Sequence, residues 1–395
     1  MSYKKIYLNP KKEESLKRFH PWVFSGAIHH ADENPEEGEI VEIYDSNENF
    51  LALGHCQIGS IAVRVLSFRE EPIDKQFWKA RFESAYQLRK RLKLADNPDN
   101  NTYRLIHGEG DSMPGLIVDV YGNTAVMQAH SPGMHIQRME LAEALKETLS
   151  DSIENIYYKS EGTLPYKAEL GAENGYLIGG ENANRVALEN GIRFAVDWEK
   201  GQKTGFFVDQ RDNRSLLEKY SEGRRVLNMF CYTGGFSCYA LRGGAELVHS
   251  VDSSSKAIDL TNENVALNFP GDELHQAFAE DAFRYMENID DQYDLIILDP
   301  PAFAKHRKVL RNALQGYRKL NAVAFKKIKK GGIIFTFSCS QVVSKEDFRL
   351  AVFSAAAISG RRVKILHQLT QPADHPINIY HPEGEYLKGL VLEVE

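Results

Sequence analysis

Disulfide and metal chemistry have little to work with in this chain, whose 395 residues include four cysteines, Cys56, Cys231, Cys238 and Cys339. Their separations match neither a metal-ligand spacing nor a disulfide framework, so reduced thiols and no metal are expected. No apolar run reaches the length that spans a bilayer, which argues against a membrane-spanning helix or a membrane partner. The polar start, Met1 to Lys5, lacks the charged-then-apolar layout of a signal peptide, and a soluble, cytoplasmic protein is expected. A more local absence concerns charge: no Asp or Glu occurs between Ala302 and Ser344.

Apolar and aromatic residues are plentiful, at 43% and 10%, enough for two or three domain cores. The stretch from Arg225 to Ala245 organises the rest. Val226 to Phe230 is a short apolar run suited to a buried parallel strand. Gly234 and Gly235 allow a tight turn, and Phe236 to Leu241 resumes at helical spacing. A strand, glycine turn and helix in this order is where open α/β sheets bind nucleotides. The second strand, Leu247 to Val251, ends in Asp252, about twenty residues beyond the turn, where a carboxylate reaches a ribose. His275 to Ala279 is followed by Glu280 and Asp281, and Tyr293 to Leu298 runs into Asp299-Pro300-Pro301-Ala302-Phe303. Polar groups at the ends of successive strands describe one crevice along a sheet edge. For Asp252 the bland alternative is a helix cap.

A net charge of −7 argues globally against a nucleic-acid partner. The distribution argues the other way. The acid-free stretch carries Lys305, Arg307, Lys308, Arg311, Arg318, Lys319, Lys326, Lys327, Lys329 and Lys330, and begins beside Asp299. A second basic run is Arg89-Lys90-Arg91 with Lys93. Either run alone could be a solvated helix face.

Residues 1 to about 71 read as mostly β, with Ile40 to Tyr44, Phe50 to Gly54 and Ile61 to Leu66 separated by turn-formers. From Pro72 to Leu94 the pattern is helical, broken by Asp96-Asn97-Pro98. Gly122-Asn123 between two apolar runs signals a hairpin. A helix over His135 to Leu149 and strands at Ile153 to Lys159 and Ile192 to Val196 complete a small α+β layer. The domain map is therefore 1–71, 72–198 and 199–395. Before the last domain, Lys203-Thr204-Gly205-Phe206-Phe207-Val208-Asp209-Gln210-Arg211 packs polar groups among aromatics, and a helix is expected to start near Gln210.

Four segments resemble the RlmI-type 23S rRNA cytosine-5 methyltransferases: Lys203 to Arg211, Asn228 to Gly235, Asp299 to Phe303, and Phe337-Ser338-Cys339-Ser340. Arg18 to Phe24 is similar to the opening of a PUA domain, a small RNA-binding pseudo-barrel, and Pro382 to Gly389 also fits the family. The resemblance implies a multidomain α/β protein. Its parts would be an N-terminal PUA-like β-barrel, a central α+β domain, and a C-terminal Rossmann-like class I methyltransferase domain with a mostly parallel seven-stranded sheet. The implied cofactor is S-adenosylmethionine. It carries no phosphate, which suits a turn reading Cys231-Tyr232-Thr233-Gly234-Gly235 in place of the spaced triple glycine of dinucleotide sites. By the same resemblance Asp252 would bind the ribose and Asp281 the adenine, with Gln210, Asn228, Phe230, Tyr232, Gly234 and Ser253 lining the pocket. The implied partner is large-subunit ribosomal RNA or a precursor particle; a homodimer is compatible.

Carbon 5 of cytosine is too poor a nucleophile to accept a methyl group unaided, so a thiolate must first add at carbon 6. Cys339 follows the strand Ile333 to Phe337, which in such sheets adjoins the strand ending at Asp299. Asp299 would serve the ring nitrogen as hydrogen-bonding partner or acid. Cys56, Cys231 and Cys238 read as small buried hydrophobes. Two rivals stay open: an amino-directed enzyme methylating N2 of guanine or N6 of adenine, with Asp299 and a proline carbonyl holding the amine, and a non-catalytic RNA-binding protein that retains the fold. Cys339 carries the choice of cytosine.

Overall fold

The computed structural model describes residues 3–165, 170–171, 173–290, 292–304 and 306–395. The chain divides into two compact units, one of Met1–Asn190, Val196–Val208 and Ala373–Gly384, the other of Gly191–Ala195, Asp209–Pro372 and Glu385–Glu395.

In the first unit, strands β1 (Lys4–Leu8), β2 (Trp22–Phe24), β3 (Ile28–Ala31), β4 (Ile40–Tyr44), β5 (Phe50–Cys56) and β6 (Ile61–Ser67) form a sheet ordered β2-β6-β5-β4-β1-β3. Its pairs are antiparallel except β1 with β4. Ile6, Leu8, Val41, Ile43, Val63 and Val65 share one core with Leu16 of the short helix α1 (Glu14–Lys17). Their alternation along the strands leaves the intervening residues at the surface. Helix α2 (Lys75–Arg91) starts at Asp74, whose side chain accepts from the amides of Gln76 and Phe77, the usual saturation of a helix start. It buries Phe77, Trp78 and Phe82 in a core shared with the next sheet.

That sheet comprises β7 (Thr102–His107), β8 (Leu116–Tyr121), β9 (Thr124–Ala129), β10 (Asn155–Tyr158) and β11 (Gly175–Ile178), ordered β11-β10-β9-β8-β7. The Gly122-Asn123 hairpin joins β8 to β9, with Gly122 at φ +59°. The helix expected over His135 to Leu149 is two helices, α3 (Pro132–Ile136) and α4 (Arg138–Thr148), broken at Gln137. Arg89-Lys90-Arg91 is not a free basic patch. Arg89 is fully buried, holds Asp111 through two hydrogen bonds at 2.5 and 2.7 Å, and donates to the Asp374 carbonyl. Lys90 pairs with Asp96 at 2.7 Å. A guanidinium taken out of water requires such partners, so this charge is structural.

Strand β12 (Val186–Glu189) closes the first unit's run, and β13 (Ile192–Ala195) belongs to the second. The second unit is built on seven strands: β14 (Arg225–Met229), β15 (Leu247–Asp252), β16 (His275–Ala279), β17 (Leu295–Leu298), β18 (Gly332–Ser338), β19 (Val363–Thr370) and β20 (Lys388–Val394). Their order is β16-β15-β14-β17-β18-β20-β19, parallel from β16 to β18, with β20 antiparallel to both its neighbours. Helices α5 (Arg211–Glu218), α6 (Gly235–Arg242), α7 (Ser255–Asn268), α8 (Ala282–Glu287), α9 (Leu310–Lys327) and α10 (Lys345–Ser359) flank it. Both faces are covered: Leu227, Met229, Ile296, Leu298 and Ile334 lie in one core with α8, α9 and α10, while Val226, Leu295, Ile297, Phe335 and Phe337 lie in another with α5 and α6. Two-sided burial is why the central strands are rich in apolar residues at successive positions, with no strict alternation. Truncating Phe335 to Ala would cost about 3–5 kcal/mol.

Candidate active site

The strand order reverses beside β14, since β15 and β16 lie to one side and β17 and β18 to the other. At such a point the connections leave in opposite directions and open a crevice at the carboxyl ends of the strands. The loop after β14 is the tightest piece of it, with Phe230, Tyr232 and Gly234 all in the left-handed region at φ 60°, 49° and 75°. A Cβ on Gly234 would lie 2.6 Å from the Thr261 methyl group, so packing on α7 and backbone conformation both demand glycine.

Helix α7 holds this loop by two side chains that escaped sequence reasoning. Thr261 donates to the Tyr232 carbonyl at 3.0 Å and Asn264 to the Thr233 carbonyl at 2.8 Å, and both residues are fully buried. A polar residue inward on an amphipathic helix was the available signal. Asp252, at the end of β15, accepts from the Tyr232 amide at 3.1 Å and the Ser254 amide at 2.9 Å. One carboxylate thus joins two loops and retains acceptor capacity, because its oxygens offer about four lone-pair sites. Ser253 is exposed beside it. Asn228 is 1% exposed within β14 and donates to Ser237, which continues to Ser250 and His275. That chain fixes α6 against the sheet. Asp281 is exposed and caps α8, accepting from the Arg284 amide at 3.0 Å, so the cap considered for Asp252 is found here.

On the other side of the switch point, Asp299 directly follows β17 and Cys339 directly follows β18, and the two strands are paired, Leu298 opposite Thr336. Ser340 donates to the Ala304 carbonyl, stitching the two post-strand segments together. Phe303 packs on Tyr317 of α9 with ring centroids 4.7 Å apart, and Ser338 donates to the Tyr317 hydroxyl. Gln210, expected beside the cofactor, donates to Asp299 at 3.0 Å and accepts from Asn213 at 2.6 Å. Its neighbour Asp209 accepts from Tyr386 at 2.7 Å.

Three thiols are buried while Cys339 is half-buried. Burial pushes Cys56 up to about 11 and Cys231 and Cys238 up to about 12, which keeps them protonated and inert. Lys388, which the sequence reading placed only inside a matching segment, is 4% exposed at the start of β20, and burial pulls its ammonium down to about 8. A lysine opening a mostly apolar strand was its signal.

The acid-free stretch divides. Arg307, Lys308 and Arg311 are exposed at the start of α9, near the strand ends that carry Asp299. Lys326 to Lys330 lie at the other end of the helix, in its last turn and just after it, roughly 27 Å away for 18 residues. There Lys327 pairs with Asp290 and Lys329 with Asp294. Lys319 sits over the Phe283 ring at 5.3 Å, and Lys305 lies outside the described residues.

The S-adenosylmethionine-dependent methyltransferase family matches residues 165–379, and a PUA-like domain matches residues 6–68. Ribosomal RNA large subunit methyltransferase I from Alteromonas mediterranea is 39% identical over 394 residues, covering 98% of each chain. The protein of the same name from Tolumonas auensis is 40% identical over 398 residues, again covering 98% of each chain.

The chain belongs to the ribosomal RNA large subunit methyltransferase I family.

Its fold is that of a protein from Streptococcus mutans described as a S-adenosylmethionine-dependent methyltransferase, with a TM-score of 0.83, 23% identity and 100% of both chains covered. A second such structure, determined with S-adenosylhomocysteine, has a TM-score of 0.84, 24% identity and the same coverage. Members of this family are methyltransferases, and S-adenosylmethionine is the cofactor. The residues present fit it: the spare acceptor capacity of Asp252 and the exposed Ser253 offer a carboxylate and a hydroxyl to a ribose at the crevice beside the left-handed loop at 230–234. The PUA-like domain and the seven-stranded methyltransferase sheet are as the sequence implied. No helix among the described residues is long and apolar enough to cross a membrane.

Proposed function

We propose that this protein methylates carbon 5 of a cytosine in large-subunit ribosomal RNA through a covalent adduct on Cys339. The observation that carries this reading is the pairing of β17 with β18, which puts Asp299 and the half-buried Cys339 at the ends of adjacent strands. The RNA substrate follows the names of the relatives. S-adenosylmethionine, when bound, supplies an electrophilic methyl group on a sulfonium. Cys339, as thiolate, adds to carbon 6 of the ring, forming a carbon–sulfur bond and moving electron density to carbon 5 and the ring nitrogen. Asp299, in its carboxylic acid form, donates a hydrogen bond or proton at that nitrogen, and Gln210 keeps its carboxyl group oriented. Once carbon 5 carries its methyl group, loss of the carbon 5 proton re-forms the ring double bond and returns the carbon–sulfur electron pair to Cys339.

We further assign Asp252 and Ser253 to the ribose, Asp281 to the adenine, and Phe230, Tyr232 and Gly234 to the loop around the amino acid. RNA would reach the site past Arg307, Lys308 and Arg311, with residues 1–71 as a second RNA contact. The enzyme would act where ribosomes are assembled, in the cytoplasm.

An RNA carrying 5-fluorocytosine at the target tests the chemistry, because fluorine cannot leave as a proton does. The expected result is a protein–RNA species that survives denaturing electrophoresis, lost in Cys339→Ala and kept in Cys238→Ala. Full methylation by Cys339→Ala would sink the nucleophile and favour amino methylation, with Asp299 holding the amine. Cofactor and RNA binding without turnover would favour the non-catalytic rival.

A further inference from the structure

Lys388 stands opposite Ser338 in the β18–β20 register, one residue before Cys339. A buried ammonium persists only where other groups replace its hydration. Two of its three N–H groups do so here, donating to the carbonyls of Ser340 at 2.6 Å and Val343 at 2.7 Å. Both carbonyls belong to the turn leaving Cys339, where the Val343 amide also donates to the Ser340 carbonyl at 3.1 Å. The ammonium therefore ties the turn that follows Cys339 to the neighbouring strand, one register position from the thiol-bearing residue.

The charged and titratable surroundings agree. Burial is the main influence on Lys388, and the first that opposes it is the charge of Cys339, ahead of Glu385; Lys345 acts the other way. Glu385 and Lys345 pair with each other. Tyr317, facing from α9, is held neutral by burial at about 12, with Cys339 and Asp299 adding to the effect.

We propose that Lys388 is the positioning residue of the nucleophile: its buried ammonium clamps the turn behind Cys339 and supplies the positive charge that stabilises the thiolate. The thiol releases its proton to water, the sulfur electron pair forms the bond to carbon 6, and on expulsion the pair returns to sulfur beside the same ammonium. The role rests on the reading of Cys339 as nucleophile, whereas the pairing of the two groups can be measured without RNA.

The measurement is the rate of iodoacetamide alkylation at Cys339 against pH in the full chain, followed by peptide mass. The wild-type limb should fall below the free-thiol value of about 8.5. Lys388→Gln, which keeps an N–H donor and removes the charge, should move the limb up by about one unit and slow alkylation at neutral pH roughly tenfold. Lys388→Arg should keep it near wild type. Unchanged cofactor affinity in both variants shows that the sheet is intact. A wild-type limb at the free-thiol value, an unmoved limb in Lys388→Gln, or equal shifts in both variants overturns the proposal. Absence of the 5-fluorocytosine adduct with the thiol titration as expected would sink the nucleophile reading alone.

Discussion

Gln210 donates its side-chain amide to the Asp299 carboxylate at 3.0 Å, so the carboxylate at the end of β17 is held from the start of α5. Asn213 fixes the amide in turn by donating to its oxygen. Gln210→Ala should therefore lower the single-turnover methylation rate by about 10–100-fold, the worth of one hydrogen bond to a charged group. Cofactor affinity measured by calorimetry should change by less than about threefold, or about 0.7 kcal/mol. A loss of affinity equal to the loss of rate would instead put Gln210 in the cofactor pocket.

The two candidate cofactor carboxylates separate by experiment. Asp252→Ala should weaken S-adenosylmethionine by roughly 10–100-fold, because a charge-assisted hydrogen bond is lost. For Asp281 the cap is a confounder, which Asp281→Ser removes, since serine caps as well as aspartate and Ala costs about 1 kcal/mol. If Asp281 binds the adenine, calorimetry will show weaker binding in Asp281→Ser and Asp281→Ala alike; retained affinity in Asp281→Ser leaves it a cap alone.

RNA affinity should depend on which end of α9 is altered. Neutralising Arg307, Lys308 and Arg311 together should reduce the slope of log affinity against log salt by about 2 to 3. Neutralising Lys326, Lys327 and Lys330, at the far end of the helix, should leave the slope within about 0.5 of wild type. A filter-binding series from low to physiological salt decides between them, and equal effects would mean that RNA lies along the whole helix.

Acid stability should be limited in part by His55, which is 1% exposed, packed on Gly133 and hydrogen-bonded to Gln137 at 3.1 Å. Burial pulls it down from 6.5 to about 4. Between those values the unfolded chain binds a proton that the folded chain does not, so stability falls as pH falls through this window, by up to about 3 kcal/mol. His55→Asn should flatten the decline of the denaturation midpoint between pH 6.5 and 4. An unchanged slope would show that other groups, such as His130 and His275, dominate.

How far the site was legible depends on the range of each interaction. Asp252, Asp299 and Cys339 could be found because each directly ends or follows an apolar strand, a position that sequence periodicity marks. Thr261 and Lys388 were marked only as polar residues in apolar settings, and nothing local pointed to their partners Tyr232 and Ser340, 29 and 48 residues distant. The Lys326 to Lys330 cluster looked continuous with the catalytic end only because a chain read in one dimension hides the length of α9.

The sequence by itself determined the elements and their order: two-sided burial wrote β14, β17 and β18 as short runs rich in apolar residues, and Gly122-Asn123 marked the β8–β9 hairpin. It also carried the family. Tertiary structure alone decided which polar side chains meet. Hydrophobic periodicity specifies a face and not a partner, and a buried polar group is settled by whichever donor the fold brings within about 3 Å. Arg89 shows this, reading as surface charge and lying instead in the core on Asp111. Gln210 shows it as well, because nothing local tells that its amide will close on a carboxylate 89 residues away.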